Sequence, residues 1–99
     1  MTFKDLKFKN IDIPNGIQAL VDFGKYHLSI VKHDFSYGGT AGLYEIATFN
    51  AVDGEPLDMV ELPGITAEGD TVKGYLTEAN VDAIMLKLYI ATGTEGKQI

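Results

Sequence analysis

The dipeptides Asn15-Gly16 and Asp53-Gly54 constrain this chain most. Each lies between runs with apolar residues at alternate positions. In that setting Asn-Gly and Asp-Gly signal a two-residue type I′ hairpin, because both central positions of that turn need φ > 0. Two such turns commit the first two-thirds of the chain to antiparallel strands paired with their sequence neighbours. Asn15-Gly16 is expected to join a strand ending near residues 11–13 to one over residues 17–23. In the latter, Ile17, Ala19, Val21 and Phe23 alternate with Gln18 and Asp22, and Leu20 breaks the alternation. Gly24-Lys25 permits a second tight turn. Tyr26, Leu28 and Ile30 then form the inner face of a third strand, with His27, Ser29 and Val31 on its other face. Residues 43–52 read as a fourth strand. Asp53-Gly54 returns the chain into a fifth over residues 57–62, with Pro56 at its start.

Residues 72–76 form a short sixth strand, and then the pattern changes period. Thr77 is an N-cap with Glu78 in the first turn, and Gly93 is a C-terminal stop, which places a helix over about residues 78–91. Val81, Ile84, Met85 and Leu88 match one buried helical face. A second apolar stripe, Ala79, Ala83, Leu86 and Ile90, exceeds what one helix on one sheet requires. Either another segment covers it, or Ala83, Leu86 and Ile90 form a contact surface for a homodimer or another protein. Residues 94–99 are expected to fray. The fold class expected is α+β: an antiparallel sheet of about five strands, flat or curled, connected as a meander, with one C-terminal helix packed on one face. Ninety-nine residues hold one such domain.

Composition removes whole classes of function. With no cysteine there is no disulfide scaffold, thiolate zinc site or thiol nucleophile. Apolar residues at 45% and charged residues at 22% are ordinary for a globular chain. No apolar run is long enough to span a membrane, and residues 1–10 lack the apolar core of a secretory signal. The expected location is therefore the cytoplasm. The net charge is −6, and every basic residue is a lysine. Without arginine, bidentate contacts to phosphate or guanine are missing, so direct nucleic-acid binding is not expected. Residues 34–72 hold eight acids and no base: Asp34, Glu45, Asp53, Glu55, Asp58, Glu61, Glu68 and Asp70. This segment either keeps the chain soluble or presents a negative face to a basic partner.

Little in the sequence resembles a catalytic constellation. The glycine-rich loop Ser36-Tyr37-Gly38-Gly39-Thr40-Ala41-Gly42 runs from strand to strand, without the following helix that a phosphate-binding loop requires. His33, Asp34 and Ser36 supply the residue types of a hydrolase triad on one loop, whereas triad members usually converge from separate elements. A small-ligand binder or hydrolase built on residues 33–37 is the least favoured class. Asp53 and Glu55 form a carboxylate pair near a hairpin tip. His27 and His33 match no metal-ligand spacing, and no metal or cofactor is expected. Phe35, Tyr37 and Tyr44, beside Asp34 and Glu45, suit a contact surface of rigid aromatic area. Equally, Phe35 could plug the end of the core, with Tyr37 packed over the sheet.

Two segments, HDFSYGGTAGLYEIATF at 33–49 and DTVKGYLTEANVDAIMLKL at 70–88, resemble stretches of small proteins encoded in tailed-phage genomes. In those, a loop containing Ser-Tyr-Gly precedes a strand, and a Gly-Tyr-Leu-Thr turn opens a helix. The resemblance carries no activity. It implies a small accessory protein acting in the cytoplasm of an infected bacterium. The function expected is non-enzymatic: binding, and thereby inhibiting or modulating, a host or defence protein with a basic surface. Asp34, Phe35, Tyr37, Tyr44, Glu45, Asp53, Glu55, Asp58 and Glu61 are the candidate contacts. The alternative is a structural or oligomeric component of a virion or its assembly, built on the Ala83, Leu86 and Ile90 stripe.

Overall fold

The computed structural model describes residues 1–99. Its strands are β1 (Lys9–Asn10), β2 (Ile17–Asp22), β3 (Tyr26–Lys32), β4 (Tyr44–Val52), β5 (Glu55–Met59), β6 (Val72–Leu76) and β7 (Lys97–Gln98), with a single helix, α1 (Glu78–Thr92). All pairings are antiparallel, and β1 to β5 follow one another in space as a meander. Each outer edge is then shared by two short strands. β5 pairs with residues 49–52 of β4, and β6 with residues 44–47. Likewise β1 pairs with Ile17 and Gln18 of β2, and β7 with Val21 and Asp22. The fold is thus α+β, with seven strands where about five were expected and the helix against one face.

The core follows from the alternation. Val21, Phe23, Leu28, Ile30 and Ile46 point from the sheet to meet Val81, Ile84, Met85 and Leu88 of α1. The expected buried face of the helix is the observed one. Thr77 Oγ1 accepts from the Asn80 N–H, and Asn80 Oδ1 accepts from the Thr77 N–H. This reciprocal cap needs a side-chain acceptor at the third helical position, and asparagine supplies it. Gly93, at φ +66, ends the helix in the left-handed conformation.

Three expectations are corrected. The Asp53-Gly54 turn has both residues at positive φ, but only Asn15 does so in the first turn. There the Ile11 side chain lies over Gly16, leaving no room for a Cβ, and the chain makes a six-residue loop between β1 and β2. The fifth strand starts at Glu55, because a two-residue turn puts Glu55 directly opposite Val52. Finally, the tail expected to fray carries a strand, Lys97–Gln98, paired with Val21 and Asp22. Gly96 passes over the Phe23 ring at a distance no side chain would permit, and the Gln98 amide bonds both the N–H and the carbonyl of Lys7. These contacts hold β7 against β2.

Candidate protein-contact surface

The loop between β3 and β4 packs upon itself before it presents anything. The Ser36 hydroxyl donates to the His33 carbonyl at 2.9 Å and accepts from the His33 N–H at 2.9 Å. Gly39 lies so close that a Cβ there would collide with the His33 carbonyl oxygen. Gly38 and Gly42 take φ of +90 and +78, flanking a turn of 3-10 helix at Gly39–Ala41. His33 Nδ1 accepts from the Phe35 N–H at 3.1 Å. The Asp34 carboxylate is held by the Asn15 side chain. Ser36, His33 and Asp34 are therefore committed to backbone and neighbouring partners and form no relay. The carboxylates of Asp53 and Glu55 are both exposed at the far hairpin.

Anchored in this way, the loop leans on β6. The Tyr75 N–H donates to the Tyr37 carbonyl at 3.0 Å, and Glu45 accepts from the Tyr37 N–H at 2.8 Å. Gly74 is required beneath Tyr37, since a Cβ at residue 74 would come within 2.2 Å of the Tyr37 Cβ. This packing puts Tyr37 and Tyr75 side by side. Phe35 is 76% exposed, Tyr37 58% and Tyr75 66%. Phe35 does not plug the core. The second tie, from the Asp34 N–H to the Pro14 carbonyl at 3.0 Å, brings the β1–β2 loop and its exposed Asp12 to the same end of the sheet.

Not every expected contact residue belongs here. Tyr44 is only 7% exposed; its ring packs against Phe3 and Phe8, with the Lys32 ammonium 4.9 Å above it. The period-two pattern it shares with Ile46 and Thr48 turns it inward. Asp53 and Glu55 are exposed, but at the opposite end of β4, roughly 27 Å away at the usual strand rise, and the exposed Asp58 lies beside Asn50, roughly 17 Å away. Glu61 is exposed and accepts from the Gly69 N–H at 2.7 Å. Of the nine candidate contacts, Asp34, Phe35, Tyr37 and Glu45 come together. Tyr75, which was not among the expected contacts, joins them from β6. Its signal was the alternation in β6, where Leu76 points in and Tyr75 therefore out.

The helical stripe is uncovered. Leu86 is 57% and Ile90 72% exposed, with Ala83 and Tyr89 exposed beside them. A groove of about 500 Å³ runs between this face and the chain ends, lined by Met1, Ala83, Leu86, Tyr89, Glu95 and Gly96 among others. No helix is long and apolar enough to cross a membrane. Comparison with protein-family models, curated proteins and solved structures found no match.

Proposed function

We propose that this chain is a non-catalytic binding module that docks on a basic protein surface through Phe35, Tyr37 and Tyr75. The observation that supports this reading is the exposure of three aromatic side chains on a backbone that the fold holds rigid. A flexible exposed loop would lose entropy on binding, whereas a preorganised one does not. Ring faces and the nearby carboxylates of Asp12, Asp34 and Glu45 both favour cations, so the complementary partner surface carries Lys or Arg. The resemblance to tailed-phage proteins makes a bacterial protein, host or defence, the expected partner, and occlusion of its basic face the expected effect. Photo-crosslinking distinguishes this end of the molecule from the other. A benzoylphenylalanine replacing Tyr37 gives a discrete adduct in bacterial lysate, and one replacing Leu57 gives none. Adducts of equal yield from both positions would refute the assignment.

A second reading is self-association through the uncovered stripe of α1, favoured by the exposure of Leu86 and Ile90. It would make the protein a structural or assembly component.

A further inference from the structure

The sheet face opposite α1 holds cross-strand rows Asp22–His27–Phe49 and Leu20–Ser29–Ala47. On an antiparallel sheet with a single helix, this face is ordinarily solvated and polar. Here His27 is only 3% exposed and Ser29 is also buried. The sheet curls: residues 54–57 rise over the face from one edge and Ile99 from the other, enclosing a trough of about 420 Å³. Leu20, His27, Ser29 and Phe49 line it together with Leu57 and Ile99. The volume falls within the usual range of small-molecule sites, as does an apolar lining with few polar groups.

The polar groups are unevenly served. Ser29 Oγ accepts from Gln18 Nε2 at 3.0 Å. The His27 side chain makes no hydrogen bond: its Nε2 is buried without a hydrogen-bond partner, 3.5 Å from Asp22 Oδ1, which already accepts from the Gly24 N–H at 2.7 Å. With Nε2 turned to the Asp22 carboxylate, the acceptor that this imidazole has left is Nδ1, which no hydrogen bond uses, and because His27 lines the trough it offers that acceptor to a ligand's donor. Glu55 is the only charged side chain among the lining residues. Lys97 stands opposite Asp22 in the ladder but is exposed and forms no ion pair with it.

We infer that the trough binds a small flat aromatic amine. The ring lies on Phe49 and Leu20 between Leu57 and Ile99, a ring N–H or O–H donates toward His27, and the ammonium group meets Glu55. This site is on a different face from the aromatic loop and stands independently of the binding-module reading.

Tryptamine is the probe, and indole-3-acetate, which keeps the ring but reverses the charge, is its control. Because the chain has two histidines, His33 in the distant loop serves as an internal reference in imidazole-detected NMR. Tryptamine shifts the His27 ring resonances saturably and leaves those of His33 in place. Indole-3-acetate binds at least about fivefold more weakly, the factor expected of one partly exposed charge contact. Glu55→Gln, at an exposed hairpin position, removes that difference without affecting the fold. Absence of a saturable shift at His27, equal response to both probes, or an equal shift at His33 would each overturn the proposal.

Discussion

A tyrosine at φ +58 with two-thirds of its surface exposed contributes strain to the fold and little packing. The left-handed conformation costs about 1–2 kcal/mol for a residue with a Cβ, more than the entropy a glycine loses there. Tyr75→Gly is therefore expected to raise stability by about 0.5–1 kcal/mol in urea denaturation while weakening partner capture. A loss of stability would mean that the ring packs more than its exposure indicates. Such strain is found where a side chain is held for binding rather than for folding. Asp5 works in the other direction. It accepts from the Thr2 N–H at 2.8 Å, and this hydrogen bond holds its carboxyl below the ordinary value of 3.8. A depressed carboxylate stabilises the fold above its unfolded pKa, and that contribution is lost as pH falls through the folded one. Denaturation at pH 3 and pH 6 is expected to show a smaller acid loss for Asp5→Asn than for the natural chain. At this scale the sequence was legible where chemistry is local. Asp53-Gly54 turns as its two residues dictate. Asn15-Gly16 does not, because Ile11 covers Gly16, and that contact cannot be read from a dipeptide. Tyr44 was legible in the alternation of β4, but its loop neighbours suggested a contact role instead.

Among the elements, α1 was the easiest to read, because both its caps and its buried face are written between Thr77 and Gly93. β7 was the hardest. Two residues carry no periodicity, and their partners lie far back in the sequence at Val21 and Asp22. β6 was found as a strand, while its pairing beside β5 on the same edge of β4 was not, since only the lengths of both ladders together determine it. The uncovered stripe of α1 makes its own prediction. Leu86 and Ile90 lose little solvent contact on folding, so Leu86→Glu with Ile90→Lys should change stability by less than about 0.5 kcal/mol. Mass by light scattering separates the two functional readings. The binding-module reading expects the monomer mass for the natural chain and the variant alike, and a natural oligomer that the variant breaks would favour self-association.

At the scale of the molecule, the acidic middle segment does not form one face. It follows β4 from Glu45 near the aromatic end to Asp53 at the other, through a body measuring 33 × 27 × 24 Å. Charges that far apart are screened from each other at physiological salt, where the Debye length is about 8 Å. Salt sensitivity of binding should therefore come mainly from Asp12, Asp34 and Glu45, with the distant acids adding steering at low ionic strength. The direct measurement is quantitative affinity capture from bacterial lysate at graded salt. It compares the natural chain with a Phe35→Ser, Tyr37→Ser variant and with the helix variant Leu86→Glu, Ile90→Lys. The account predicts a partner retained by the natural chain and the helix variant, released as salt rises, and missing from the loop variant. Equal retention by the loop variant, or capture of nothing by the natural chain, would contradict it.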